Sequence, residues 1–92
     1  MSYGKFVGEL NKGIEGCIAA YDNKSGHGGC VLHIKDRRTI LVPATIIDHQ
    51  RAQALALLRA KISEDRWETS HLLLTERDGK LVFEHEALPV AA

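Results

Sequence analysis

Cys17, His27, Cys30 and His33 are the residues of this chain whose types suit a soft divalent metal, offering thiolate sulfur and imidazole nitrogen within a short span. Cys30 and His33 lie three positions apart in an apolar run that reads as a strand, so their side chains are sent to opposite faces. That spacing predicts no metal site. The stretch between the two cysteines, YDNKSGHGGC over 21–30, raises a second chemistry, the cradling of a phosphate by glycine backbone. It lacks the Gly-Lys-Ser/Thr ending of a P-loop and does not run into a helix whose N-terminus would receive an anion. Gly26, Gly28 and Gly29 instead read as permissive backbone in a connector, with Asp22, Asn23 and Ser25 satisfying the turn.

Acid–base chemistry fares no better. His27, His33, His49, His71 and His85 are spread over separate segments, and His71 and His85 fall on opposite faces of a predicted hairpin. In that hairpin His71 is expected to pair with Glu86 across the strands. Glu84 with Glu86, or Glu64 with Asp65, are carboxylates of a kind that keeps a surface wet. No nucleophile, base and pocket converge, so the sequence assigns no catalytic residue, cofactor or metal and predicts a protein that is not an enzyme.

The totals narrow the class further. With 92 residues, 45% hydrophobic and 26% charged, the chain has the composition of one globular domain, 1–92, with a small core. Twelve basic residues balance twelve acidic ones, which removes the broad positive field used for non-specific binding to nucleic acid or to membranes. The N-terminus has no run suited to a signal peptide and no window approaches a membrane span, so a cytoplasmic location with reduced cysteines is expected.

Period-two alternation predicts a first strand over Gly13–Asp22, where Ile14, Gly16, Ile18 and Ala20 alternate with Glu15, Cys17, Ala19 and Tyr21. KFVGEL before it either extends that strand or forms a separate element. GCVLHIK and TILVPATII read as the next two strands. A three-residue loop of Asp36, Arg37 and Arg38 between them would set Ile34 opposite Ile40 and Leu32 opposite Val42. Pro43 marks an edge strand or an interruption. Asp48 is a suitable N-cap for one helix over about 48–64, whose core face takes Ala54, Leu55, Leu58 and Ile62. Finally, Asp78-Gly79 signals a two-residue hairpin that sets Glu76 opposite Leu81, Leu74 opposite Phe83 and Leu72 opposite His85. The expected fold is therefore α+β, mostly β, in the order β-β-β-α-β-β. Either a small five-stranded OB-like barrel or an antiparallel sheet with one helix satisfies that order.

Over residues 16–47 the spacing of Gly16, Ile18, Tyr21, Gly26, Gly28 and Cys30, followed by ILVPATII, resembles cold-shock domains, which are small OB barrels that bind single-stranded RNA and DNA. The resemblance implies a barrel scaffold and a nucleic-acid face made of Tyr21, Lys24, Lys35, Arg37 and Arg38. Where that family carries base-stacking aromatic residues, this chain has Ala19, Ala20, His27 and Gly29, and Pro43 replaces a later histidine. The scaffold positions match and the stacking positions do not.

A different surface is suggested by apolar residues on outer faces. Leu57 lies about 200° from Leu55 around the helix, in company with Gln53, Ala56 and Ala60, and Leu73 and Val82 stand among charges on the outer side of the hairpin. These make Leu57, Leu73 and Val82 candidates for contact with another protein or with a second copy. The reading that follows is a small non-enzymatic protein-binding module, of inhibitor, adaptor or subunit type, acting by occupying a partner's surface. In a phage or mobile-element protein, such a role would be inhibition of host machinery. The alternative is a single-stranded nucleic-acid-binding OB-like domain.

Overall fold

A computed structural model describes residues 3–21 and 28–85. The chain opens with a helix, α1 (Tyr3–Gly13), so the N-terminal segment is a separate element and Gly13 belongs to it. Phe6 and Leu10, four apart, bury completely in the core, with Val7 and Ile14 packed beside them. Gly4 and Gly8 each weaken the helical preference by about 1 kcal/mol relative to alanine, which hides this helix from a propensity reading. The first strand is correspondingly shorter than expected, β1 (Cys17–Tyr21), with Cys17 and Ala19 turned inward.

β2 (Cys30–Ile34) and β3 (Arg38–Val42) follow, joined by a 3-10 turn over Lys35–Arg37. The loop has three residues as the sequence suggests, but it lies one position earlier, and Arg38 starts β3. Ile34 therefore faces Arg38, Leu32 faces Ile40 and Cys30 faces Val42. The slip is by two residues, so the apolar face is preserved. The reason is backbone: Arg37 adopts φ 61°, completing a reversal that leaves Arg38 extended.

The strand read through ILVPATII ends at Val42. Pro43 has no N–H for a ladder, and its carbonyl accepts from Ile46 and Ile47 N–H at 3.1 and 3.3 Å, opening α2 (Ala44–His49). Asp48 thus lies inside α2 and is not an N-cap. The single helix expected over 48–64 is two, α2 and α3 (Arg51–Ile62), hinged at Gln50, whose φ −137° and ψ 40° are not helical. Ala54, Leu58 and Ile62 bury as expected, and Leu55 is half-buried.

β4 (His71–Arg77) and β5 (Lys80–His85) form the predicted hairpin in the predicted register. Asp78 and Gly79, at φ 52° and 80°, both take the left-handed angles that a type I′ turn needs. The five strands lie in sequence order in one sheet. β3 and β4 are parallel, pairing Thr39 with His71, Ile40 with Leu72 and Leu41 with Leu73, and α2 with α3 makes the crossover such a pair requires. The sheet is mixed, not antiparallel throughout. It is also not closed: β1 and β5 are its two edges, and the expected barrel gains no support. Three helices stand among the described residues where one was expected.

The core lies on one face. Cys17, Ala19, Cys30, Leu32, Ile34, Ile40, Val42, Leu72 and Leu74 from the sheet meet Phe6, Leu10, Ile46, Ile47, Ala54, Leu58 and Ile62 from the helices. At the start of β2, Gly29 is buried so tightly that a Cβ there would lie 1.8 Å from the Val42 carbonyl oxygen and 2.8 Å from Ala44 N. Only a residue without a side chain fits. Gly8, by contrast, has nothing within 4 Å of the place a Cβ would occupy.

Urea denaturation should separate these glycines. Gly29→Ala is expected to cost roughly 2–4 kcal/mol, as backbone must move to admit the methyl. Gly8→Ala, within α1, is expected to gain up to about 1 kcal/mol.

Candidate contact surface

With every buried helical residue on the core side, the opposite face of the sheet carries no helix among the described residues. Period-two geometry fixes what it presents. Consecutive pairings align Ala20, Val31, Leu41 and Leu73 in one row across β1 to β4, ending at Glu84 on β5. A second row runs Ile18, His33, Thr39 and His71. Val82, paired with Thr75, extends the apolar area beside Leu73. None of these side chains belongs to the core. Leu41 is 8% exposed, Val31, Leu73 and Val82 are half-buried, and Ile18 stands out at 68%.

Polar groups frame the area. Thr39 Oγ1 and His71 Nδ1 are hydrogen-bonded at 2.8 Å, which fixes the imidazole between β3 and β4. Arg77 Nε donates to Glu84 across the hairpin. That hydrogen bond, helped by the charge, holds the Glu84 carboxyl below its ordinary value against the smaller opposing effect of desolvation, and raises Arg77. The arrangement offers an apolar centre with charged margins. It brings no acid, base and nucleophile together.

Of the expected contact residues, Leu73 and Val82 therefore lie side by side on this face. Leu57 does not join them. It is half-buried against the core and faces the hairpin, lining a shallow hollow with Gln53, Ala56, Gly79, Lys80 and Leu81. α3 rests on the sheet with its 200° flank toward β5, so the outer-face assignment of Leu57 is corrected. Ile18, Ala20, Val31 and Leu41 were not named as contact residues from sequence, although Cys30-Val31-Leu32 and Ile40-Leu41-Val42 are each apolar at both parities.

The nucleic-acid set is not gathered. Tyr21, 53% exposed, ends β1, whereas Lys35, Arg37 and Arg38 lie at the opposite end of the same strands, about 13 Å away at 3.3 Å per residue. Lys24 lies outside the described residues. Arg38 is engaged: its guanidinium stacks 4.5 Å from the Trp67 ring centroid, and Nη1 and Nε donate to the carbonyls of Glu64 and Lys35 at 2.9 and 3.2 Å. Trp67 is itself anchored by an Nε1 bond to the Lys61 carbonyl at 3.0 Å. The Arg38–Trp67 stack ties the α3–β4 connection to the head of β3.

The sequence candidates for metal and acid–base chemistry are similarly dispersed. Among the described residues no group of three or more His, Cys, Asp or Glu is placed to hold a metal, and His27 lies outside them. Cys17 and Cys30 are both buried on the core face, but Cys17 pairs with Ile34 and Cys30 with Tyr21, about 13 Å apart along the strands. That is twice the reach of a disulfide. His85 Nδ1 is bonded to Thr69 Oγ1 at 2.8 Å, on the face opposite His71 as the hairpin register requires. The predicted partner of His71, Glu86, lies outside the described residues. No described helix is long and apolar enough to cross a membrane.

Comparison with protein-family models, with curated proteins and with solved structures returns no match.

Burial pushes the Cys17 thiol above its ordinary value. The folded chain therefore favours the thiol: stability tied to Cys17 is intact below about pH 8.5, where the unfolded thiol is also protonated, and falls as pH rises beyond it. Titration with a chromogenic disulfide reagent at neutral pH should label neither cysteine at a measurable rate in the native protein and both in denaturant.

Proposed function

We propose that this protein is a small binding module that acts by occupying a partner protein's surface with the uncovered face of its sheet. The observation that carries the reading is the row Ala20, Val31, Leu41 and Leu73, flanked by Val82 and Ile18, on a face that no helix covers among the described residues. A single-layered face that meets only water ordinarily alternates to polar residues. An apolar centre with a polar, charged margin is instead the anatomy of a protein contact. The zero net charge is consistent with a partner recognised by shape and apolar area more than by a long-range field. Two buried thiols too far apart to join suit a reducing compartment, and we place the protein in the cytoplasm on that ground.

The test is substitution on this face with the fold monitored. Leu73→Glu and Val82→Glu place charge on half-buried outer positions, and each is expected to keep the native circular dichroism while weakening capture of the bound protein about tenfold or more, as for a central contact residue. A titration of single-stranded RNA and DNA at about 50 and about 200 mM salt decides the competing class. Micromolar binding that weakens with salt, with Leu73→Glu having no effect on any protein partner, would replace this reading.

A further inference from the structure

The two edges of the sheet are not equivalent. On β1 the N–H and C=O of Ala19 point outward, and α1 closes them: Asn11 Oδ1 accepts the Ala19 N–H at 2.7 Å, and Asn11 Nδ2 donates to the Ala19 carbonyl at 3.5 Å. The asparagine amide thereby imitates one residue of a neighbouring strand, and a sixth strand cannot pair there without displacing it. Among the described residues β5 has no such guard. In a two-residue hairpin Arg77 and Lys80 exchange hydrogen bonds, as do Thr75 with Val82 and Leu73 with Glu84, so the backbone groups of Leu81 and Phe83 point away from β4. Among the described residues nothing bonds to them.

We propose that β5 is a self-pairing edge, and that two copies of the chain join antiparallel through Lys80–Glu84 about a two-fold axis at Val82. The pairing uses the backbone edge of β5, which borders the outer face proposed above at Val82, and the inference does not rest on that reading. The register follows from parity and charge. Only odd positions of β5 direct their N–H and C=O to the edge, so Leu81 must exchange bonds with an odd position of the second copy. Centring on Val82 gives Leu81 with Phe83 twice and Val82 with Val82. It also gives Lys80 opposite Glu84 at both ends, so the strand KLVFE is complementary to its own reverse in both hydropathy and charge. Centring on Phe83 instead would set each Val82 against a Glu84 carboxylate. Lys80 is exposed, and Glu84, though bonded to Arg77, keeps acceptor capacity for a second cation. The paired sheet would run the outer apolar areas of the two copies together through Val82. Two short strands bury less than the roughly 1,200 Å² of a durable interface, so the dimer should exchange at micromolar concentrations.

Sedimentation velocity of the full chain over about 1–300 μM is expected to show a monomer–dimer equilibrium. Lys80→Glu or Glu84→Lys alone sets like charges opposite each other at both ends and should weaken it about tenfold. Combining the two restores opposite charge and should recover the dimer. As an independent check of register, Val82→Cys should cross-link under mild oxidation, because the two positions would face each other about 4.5 Å apart at Cα, within disulfide reach. Lys80→Cys, whose two copies would lie about 13 Å apart, should not. Thermal melts confirm that each variant folds. A chain monomeric throughout that range, a dimer indifferent to the single charge reversals, or equal cross-linking at both positions would overturn the proposal.

Discussion

The chain leaves the sheet at Pro43, and the rest of the architecture depends on that departure. Proline cannot supply a ladder N–H, so β3 stops at Val42, and the freed carbonyl of Pro43 starts α2 by accepting from Ile46 and Ile47. The exit is sharp enough that backbone from β2 must pass against it. Gly29, with no Cβ, is what allows the Val42 carbonyl and the Ala44 amide to approach so closely. A side chain there would push β2 away from β3 and the first turn of α2 away from the core.

From that point the helices determine the sheet. α2 and α3 bring the chain back across one face, so β4 enters parallel to β3 rather than antiparallel. α1 packs on the same side through Phe6 and Leu10. With three helices on one face the molecule has two layers, and the reverse side of the sheet keeps Val31, Leu41, Leu73 and Val82 without a covering layer among the described residues. The connection into β4 is held by polar contacts at the end of the crossover: Arg38 stacks on Trp67 and reaches the Glu64 carbonyl, and the Thr39 amide donates to the Ser70 carbonyl at 2.8 Å. An arginine that looked from sequence like a nucleic-acid contact is thus a structural clamp, because its five donors and flat cation fit carbonyls and an indole together.

Edge management gives the sheet a direction. Asn11 on α1 occupies the hydrogen-bonding groups of Ala19, so β1 is guarded by an element folded just before it. The hairpin places β5 at the other end with alternate backbone groups turned outward, and its charged ends are of opposite sign. Apolar area and open edge meet near Val82.

Local rules were sufficient for some of this. Asp78-Gly79 determined its own turn and, through it, every pairing of β4 with β5, since a type I′ turn leaves one register. Alternation marked β2 and β3, and the spacing of Ala54, Leu58 and Ile62 marked the buried side of α3. Parity along β2 sets Cys30 inward and His33 outward, as their spacing of three requires. Other features depended on partners distant in the chain. Phe6 and Leu10 make a helix only because a sheet is present to bury them against, overriding Gly4 and Gly8. ATII after Pro43 has strand-like residues and is helical because the core face offers Ile46 and Ile47 a place beside β3. Leu57 faces the hairpin because β5 extends the sheet beneath α3. The sequence by itself determined what nearest neighbours enforce, turns, parity and helical spacing. The tertiary structure decided the parallel β3–β4 pairing, the open sheet and the single covered face, because these arise from where the crossover lands, which is set by long-range burial and not by any local preference.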